Sequence, residues 1–240
     1  MRFNDGFIGC NPNEEYYFSP MDSEEEYLKN LRIQPENWPY RDYSILYKYN
    51  EYGHRSKSIN EIDLDNYILF AGCSHTEGVG LQVEHTFPYI VSSQLNCDYY
   101  NLSLSGSGVD VMMYNLSLWI NRFKKLPKAL VILWPEETRF ALYGGNNLDP
   151  QVLNHDNTTD SVARFMVIGD EIGFFSTRRK MCRELLSQLY TCDIIDVRFA
   201  GQEPLETPTF MYTVDYARDI SHAGIQSNLN LANDIVTLLR

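Results

Sequence analysis

The sequence has little positive charge to offer a polyanion. Its 20 Lys and Arg residues are outnumbered by 32 Asp and Glu residues, so the formal net charge is −12 at pH 7. Proteins bind nucleic acid largely by replacing its counterions with Lys and Arg, and the same side chains attract a protein to anionic lipid. The acidic composition therefore predicts no nucleic-acid partner and no membrane partner.

Long apolar runs are missing as well. No stretch has the roughly 18–20 apolar residues that a transmembrane helix needs. Asp5 lies where a signal peptide would have its apolar core, and Cys10 lacks the apolar stretch that precedes a lipoprotein cysteine. We therefore expect a chain without a signal peptide or transmembrane segment, located in the cytoplasm.

The cysteines show no pairing pattern. Five are present, with no C-x-x-C pair: Cys10, Cys73, Cys97, Cys182 and Cys192. An odd, scattered set disfavours a disulfide framework or a zinc site and indicates a reducing compartment. The sequence also lacks H-x-x-x-H and paired-carboxylate spacings, so we expect no metal and no other cofactor.

What is present fits one α/β domain with an addition. The 240 residues are 44% hydrophobic and 22% charged, and they are enough for a large core. Residues 1–60 are polar and aromatic with little apolar periodicity, whereas regular strand and helix patterns follow them. We predict an N-terminal extension, residues 1–60, packed on a core domain, residues 61–240.

Two local patterns are predicted within the extension. Ser23 and Glu26 form a capping box for a helix that ends before Pro35. Residues 47–55 alternate aromatic and polar side chains into a glycine turn, which predicts a hairpin. Many of the 17 tyrosines lie in the extension, where they form either a layer that packs on the core or a platform on which sugars stack.

Beyond residue 66, apolar runs of strand length alternate with helical periodicity. The predicted strands are 67–71, 99–104, 129–134 and 193–199, with a short one at 164–168; the helices are 86–95, 110–123, 177–190 and 225–239; residues 144–159 form a loop. This alternation predicts a parallel sheet covered by helices on both faces. Ligands bind at the carboxyl ends of such strands, where Ser74, the pair Ser105-Gly106 and the pair Pro135-Glu136 follow predicted strands directly.

A serine follows the first core strand, in the segment Gly72-Cys73-Ser74-His75-Thr76-Glu77-Gly78. Its glycines allow a tight turn, so that the Ser74 hydroxyl projects at the strand end as a candidate nucleophile. The alternative is that Ser74 only caps the next helix. Cys73 is an alternative nucleophile, but it would point to the opposite side from Ser74. His75 diverges from Ser74 on the turn, so we expect His75 to line the pocket or to form a local hydrogen bond rather than act as the base.

A carboxylate and a histidine lie three residues apart in Asp219-Ile220-Ser221-His222. A histidine can take the proton of a serine hydroxyl, and a carboxylate can orient its ring. In isolation the same pattern is also that of an exposed helix cap. His54, His85 and His155 have no such partner and are expected on the surface or in loops.

In this order the two segments resemble the first and last blocks of the SGNH/GDSL hydrolases, G-D-S-x-x-x-G and D-x-x-H. Residues 47–55 read Y-x-x-N-x-x-G-x-R, which is similar to an element of many such proteins. The resemblance implies a flavodoxin-like three-layer α/β/α sandwich with about five mainly parallel strands. It implies Ser74 as nucleophile, His222 as base and Asp219 as the orienting carboxylate. The N–H groups of Ser74 and Gly106 would form the oxyanion hole, although Gly106 also fits an ordinary turn.

The chain departs from the family at two places. Cys73 replaces the aspartate of the first block, and the third block, G-x-N-D, is replaced by Trp134-Pro135-Glu136-Glu137-Thr138-Arg139. The family asparagine is a third oxyanion donor, whereas an ionised glutamate only accepts hydrogen bonds. Losing one such donor costs about 2.7–4 kcal/mol of barrier. Thr138 is expected to replace it, followed as candidates by Arg139 and Asn146. The residues expected to contact substrate are His75, Glu136, Arg139 and Asn146.

The resemblance leads to two hypotheses of function. The first is a serine esterase that forms an acyl-enzyme, acting on an ester-bearing small molecule or glycan and in particular on an O-acyl group of a carbohydrate. The second is a structural or glycan-binding protein that keeps the fold with little or no turnover. The first block also looks like versions encoded by tailed bacteriophages, for which a virion-associated location is expected. A nucleotide-binding protein is disfavoured because Gly72–Gly80 contains no Lys or Arg for a phosphate.

Overall fold

The computed structural model describes residues 1–136, 139–143, 150–153, 173–199 and 209–240. The first 60 residues contain two small antiparallel ribbons and one α-helix: β1 (Arg2–Asn4), β2 (Phe7–Gly9), β3 (Glu15–Tyr16), α1 (Glu24–Ile33) and β4 (Tyr47–Lys48). β1 pairs with β2, and β3 pairs with β4. The Ser23 hydroxyl accepts a hydrogen bond from the Glu26 N–H and caps α1, as the capping box predicts.

The hairpin predicted for residues 47–55 is wrong. Tyr47 and Lys48 pair with Glu15 and Tyr16, which come some 30 residues earlier in the chain. The turn itself is present, with Gly53 at φ +74°. Alternation of aromatic and polar residues therefore identified a strand but not its partner.

Five of the described strands form one parallel sheet, and two others form a separate hairpin. The sheet contains β5 (Tyr67–Ala71), β6 (Asp98–Asn101), β7 (Ala129–Leu133), β10 (Asp193–Phe199) and β11 (Thr209–Met211); the hairpin contains β8 (Phe140–Tyr143) and β9 (Pro150–Leu153). Counted along the chain, the sheet strands lie in the order 2-1-3-4-5, which is the order of flavodoxin-like sheets. β9 falls within the predicted loop 144–159, so that prediction is wrong for Pro150–Leu153. The strand predicted at 164–168 lies outside the described residues.

Helices cover both faces of the sheet. The described helices of the core are α2 (Ser74–Glu77), α3 (Phe87–Leu95), α4 (Val109–Phe123), α5 (Phe174–Leu189) and α6 (Ile225–Leu238). α4 and α5 pack with Leu69 and Ile132 in one apolar cluster, whereas α3 and α6 pack with Phe70 and Val131 in another. Adjacent strand residues point to opposite faces, so the two clusters lie on the two sides of the sheet. The predicted three-layer α/β/α fold with about five parallel strands is confirmed.

The first 60 residues pack on this core. Phe7 lies against Tyr52 and Trp119, and Tyr40 packs with Leu81 and Ala217. Tyr40, Tyr47 and Tyr49 are buried, which favours a packing layer over a sugar platform at these positions. The division of the chain at residue 60 stays a prediction. Within the described ranges, no helix is both long and apolar enough to cross a membrane.

His54 was expected on the surface or in a loop, and it lies in a loop but not at the surface. Its side chain is fully buried, 3.0 Å from the Tyr100 hydroxyl and 3.1 Å from the carbonyl oxygen of Ile8. Burial lowers the pKa of His54 to about 4, so the ring is neutral. His85 is half-buried and bonds to the Tyr43 hydroxyl at 2.5 Å, while His155 lies outside the described residues.

Candidate active site

Ser74 follows the carboxyl end of β5, an interior strand of the sheet between β6 and β7. Gly72 follows the strand, and a Cβ at Gly72 would collide with the Thr76 side chain and the Leu133 carbonyl oxygen. Gly78, at φ +83°, ends the short helix that begins with Ser74. The sequence thus permits a turn too tight for larger residues, and this turn brings Ser74 to the edge of the sheet where ligands bind.

Ser74, His222 and Asp219 form a continuous row of hydrogen bonds. With its ring proton on Nδ1, His222 accepts from the Ser74 hydroxyl at 2.7 Å between Oγ and Nε2, and donates to Asp219 Oδ2. The other Asp219 oxygen accepts from the N–H groups of Ser221 and His222, each at 3.1 Å. This is the geometry that activates a serine hydroxyl for attack on a carbonyl carbon.

The Asp219 carboxylate is held in its ionised form. Burial raises the pKa of Asp219. The hydrogen bond and charge of His222, together with two backbone N–H donors, lower the pKa by a larger amount, so it lies below its ordinary value. Asp219 is therefore an anion at neutral and mildly acidic pH. An anion at this position orients the ring of His222 and stabilises its protonated form.

The turn that carries Asp219 and His222 is strained. Ile220 has φ +58°, in the left-handed region that a β-branched residue rarely adopts. Such a conformation costs on the order of 1–3 kcal/mol and persists only when its surroundings impose it. The Ile220 N–H donates to the Ala217 carbonyl oxygen at 3.0 Å, and the Ala217 N–H donates to the His222 carbonyl oxygen at 2.9 Å. These backbone hydrogen bonds close the turn.

His75 lies beside His222 and forms no hydrogen bond with Ser74. Its ring centroid is 4.6 Å from that of His222 and 4.7 Å from that of Phe199, and its Nδ1 accepts from the Ala223 N–H at 3.4 Å. Burial and the nearby charge of His222 lower the pKa of His75 to about 3, so the ring stays neutral. The structure therefore places His75 against His222, and its contact with a substrate stays a prediction.

Gly106 lies in a turn that is bonded to both ends of the Ser74 segment. The Ser107 hydroxyl donates to the Gly72 carbonyl oxygen at 3.0 Å, and the N–H and hydroxyl of Ser105 both donate to Glu77 Oε2, the hydroxyl at 2.6 Å. Gly106 has φ +73°, and a Cβ there would meet no atom within 4 Å. Backbone conformation rather than crowding thus favours glycine. The role of the Gly106 N–H as an oxyanion donor stays a prediction.

Glu77 is a site residue that the sequence analysis missed. Its side chain is buried, and besides the two Ser105 groups it accepts a hydrogen bond from the Tyr49 hydroxyl at 2.6 Å. One carboxylate thus joins helix α2, the Gly106 turn and the N-terminal segment. Its available signal was a lone acidic residue inside the first block, directly before Gly78.

Replacing Glu77 by glutamine is expected to lower the free energy of unfolding by about 1.5–3 kcal/mol, because hydrogen bonds to a charged group are lost. Denaturant unfolding followed by tryptophan fluorescence measures this loss. Tyr49→Phe is the matched control, since it removes one donor and leaves both Ser105 bonds in place. A loss for Glu77→Gln no larger than that for Tyr49→Phe would contradict the central role of the carboxylate.

The substituted third block brings an arginine towards the site. Glu136 is exposed and its Oε2 accepts from Arg139 Nε at 3.2 Å, so its carboxylate has a cationic partner. The Arg139 side chain is only 17% exposed, and its Nη1 is buried without a hydrogen-bond partner among the described residues. Its backbone packs on Gly108, just after the Gly106 turn, and its charge contributes to lowering the pKa of His75. Thr138 and Asn146 lie outside the described residues.

No metal centre accompanies the row of hydrogen bonds in the part of the chain that the structure describes. No group of three or more His, Cys, Asp or Glu side chains there could hold an ion. Cys73 is buried and unpaired by any disulfide.

No protein-family model and no curated protein matches the chain. Among solved structures, a carbohydrate esterase family 2 enzyme with a carbohydrate-binding domain from Corynascus thermopiles (Myceliophthora fergusii) is 13% identical, with a TM-score of 0.43 over 72% of this chain and 65% of that one. A family two carbohydrate esterase from Clostridium thermocellum, in complex with cellohexaose, is 13% identical, with a TM-score of 0.47 over 73% and 63%. A member of the lipolytic G-D-S-L family from Veillonella parvula is 10% identical, with a TM-score of 0.38 over 72% and 97%. This chain spans less than two thirds of the two esterases, and the chemistry of its site rests on its own geometry.

Proposed function

We propose that the protein is a serine ester hydrolase with Ser74 as nucleophile, His222 as general base and Asp219 as the orienting carboxylate. The observation that carries this proposal is the unbroken row of hydrogen bonds from the Ser74 hydroxyl through His222 to Asp219 at the carboxyl edge of the sheet. A helix cap needs no histidine on the serine hydroxyl, and an exposed Asp-x-x-His cap would not bury both side chains. Both features fit nucleophilic catalysis.

The geometry supports a two-step reaction. Ser74 Oγ attacks the ester carbonyl carbon while its proton passes to His222 Nε2, and the carbonyl oxygen gains negative charge between the N–H groups of Ser74 and Gly106. His222 then gives the proton to the leaving alkoxide, which departs as the alcohol. Water then attacks the acyl carbon while His222 takes its proton. The bond from that carbon to Ser74 Oγ breaks, Oγ regains the proton from His222, and the acid leaves the free enzyme.

We propose an O-acyl group of a carbohydrate as the substrate class, on the resemblance to the SGNH hydrolases. The neutral ring of His75 and the ring of Phe199 offer an apolar wall beside the base. The test is acetate release from acetylated xylan and from small acetylated sugars, by wild-type protein and by Ser74→Ala. Release that depends on Ser74 supports the proposal, and equal release by both proteins contradicts it.

Arg139 is our candidate for the donor that replaces the family asparagine. Its buried Nη1 has no hydrogen-bond partner among the described residues, its backbone packs on Gly108, and its charge contributes to lowering the pKa of His75. A guanidinium offers only donors and suits a developing oxyanion, whereas the Glu136 carboxylate does not. Thr138, the first candidate from the sequence, and Asn146 stay predictions.

Arg139→Met is expected to lower kcat by about 10²–10³-fold with KM nearly unchanged, because an oxyanion contact strengthens only in the transition state. Steady-state kinetics on a soluble acetyl ester measures both constants. Glu136→Gln is the control, since it weakens the ion pair and keeps the guanidinium. A raised KM with unchanged kcat would instead assign Arg139 to substrate binding, and no change in either constant would exclude it from both roles.

The competing function is glycan binding without turnover. It predicts no acyl release from any ester and the same glycan affinity for wild-type protein and Ser74→Ala. Isothermal titration with a deacetylated glycan, beside the acetate assay, separates the two functions.

A further inference from the structure

Arg218, the residue before Asp219, is a fully buried cation whose counterion comes from the other end of the chain. Its Nε and Nη2 donate to the Asp22 carboxylate at 2.7–3.2 Å, and both side chains are at most 2% exposed. A buried charge without a partner is strongly unfavourable. The segments that carry Asp22 and Arg218 must therefore stay in the arrangement that pairs the two side chains. The pair joins residues 196 positions apart.

The other described contacts of the Arg218 side chain are also with the N-terminal segment. Its Nη2 donates to the Tyr17 carbonyl oxygen at 3.0 Å and its Nη1 to that of Tyr43 at 3.2 Å. The rings of Phe18 and Tyr27 lie 4.7 and 5.0 Å from the guanidinium carbon. The Arg218 carbonyl oxygen accepts from the Asn30 side chain at 3.2 Å. Residues 17–43 therefore hold both the side chain and the backbone of Arg218.

A second route links Asp22 to Asp219. The Tyr47 hydroxyl donates to Asp22 Oδ2 at 2.5 Å and accepts from the Gly80 N–H at 2.8 Å. The Gly80 carbonyl oxygen accepts from the Arg218 N–H at 3.1 Å. A Cβ at Gly80 would lie 3.1 Å from Asp219 Oδ1, so the Asp219 carboxylate packs directly on this glycine.

We propose that the buried Asp22–Arg218 ion pair is a positioning device of the active site, through which the N-terminal segment holds the strained Asp219–His222 turn in the conformation that presents Asp219 to His222. Ile220, at φ +58°, needs such external constraint. Neither Asp22 nor Arg218 touches the reacting atoms. The consequence for turnover rests on the proposed function, whereas the consequence for the Asp219–His222 bond does not.

The test compares wild-type protein with Asp22→Asn and Arg218→Lys. Asparagine keeps the size and one acceptor of Asp22, and lysine keeps the charge of Arg218 without its planar fork. The matched control is Asp196→Asn, which removes the carboxylate from the Arg183–Asp196 pair, a pair that shares no residue with the first. The direct readout is the downfield NMR signal of the His222 Nδ1 proton, with Asp219→Asn to assign it. The second readout is the division of the effect between kcat and KM.

We expect Asp22→Asn and Arg218→Lys to weaken or abolish the Nδ1 proton signal and to lower kcat by about 10–100-fold with KM nearly unchanged, because small misplacements of catalytic groups are costly. Asp196→Asn should retain the signal and kcat. If Asp22→Asn does not fold, Arg218→Lys decides. Retention of the signal in the folded variants, or an equal loss in Asp196→Asn, would overturn the proposal. Wild-type protein that shows the Nδ1 proton signal but no turnover would refute the proposed esterase function. The positioning role would then be tested by the Nδ1 proton signal of the variants alone.

Discussion

Replacing Ser74 by alanine is expected to lower kcat for ester hydrolysis by about 10⁶-fold, and His222→Ala by a similar factor. Without Oγ no acyl-enzyme forms, and without the imidazole no group takes the proton of Oγ. Because the two residues act as one unit, the double variant should lose no more than either single variant. Measurement of kcat on an activated acetyl ester for the three proteins checks this.

Cys73→Ser is the control for these variants. It changes the neighbouring thiol, which the sequence analysis weighed as an alternative nucleophile, and leaves the row from Ser74 to Asp219 untouched. We expect near wild-type turnover. Losses for Ser74→Ala and His222→Ala that multiply in the double variant would show that the two residues do not work together. A loss for Cys73→Ser as large as that for Ser74→Ala would contradict the assignment of Ser74 rather than Cys73 as the nucleophile.

Asp219→Asn is expected to lower kcat by about 10⁴-fold while preserving the fold. The asparagine amide is nearly the same size, but it carries no charge to stabilise the protonated ring, and its NH₂ group favours the wrong tautomer of His222. The loss should fall on kcat rather than KM, because the carboxylate does not touch the ester. A variant with less than about a tenfold loss would contradict the orienting role of Asp219.

The same variant has a testable effect on stability. The pKa of Asp219 is lower in the folded protein than its ordinary value, so ionised Asp219 stabilises the folded state at pH values above about 3.9. This contribution is lost as the pH falls through the folded-state pKa. The difference in free energy of unfolding between wild-type protein and Asp219→Asn should therefore be largest near neutral pH and shrink in acid. A pH-independent difference, measured by urea unfolding, would be the contrary result.

Local patterns were enough to predict the sheet and to place the candidate site at its edge. Ser74, Asp219 and His222 could be predicted because each belongs to a short segment whose residues also determine the local turn. β11 (Thr209–Met211) could not be predicted, because a three-residue strand gives no period to detect. Its place at the edge of the sheet comes from pairing with β10.

The parts that could not be predicted depend on contacts between distant residues. Tyr47 pairs with Tyr16 in a two-stranded ribbon. The buried ring of His54 forms hydrogen bonds with the Tyr100 hydroxyl and the Ile8 carbonyl oxygen. The Asp22–Arg218 pair is of the same kind. A single sequence shows a charged or aromatic residue but not the distant residue that pairs with it. The contacts between the N-terminal segment and the core could therefore not be predicted.

Reaction with a fluorophosphonate probe, followed by mass spectrometry of the proteolytic fragments, tests the central claim most directly. The probe bonds covalently only to a serine that a base has activated, and it needs no knowledge of the natural ester. We predict a single adduct on Ser74 that is absent in Ser74→Ala and strongly slowed in His222→Ala. Folded wild-type protein that gives no adduct, or an adduct at another residue that persists in Ser74→Ala, would contradict the assignment of Ser74 as the nucleophile.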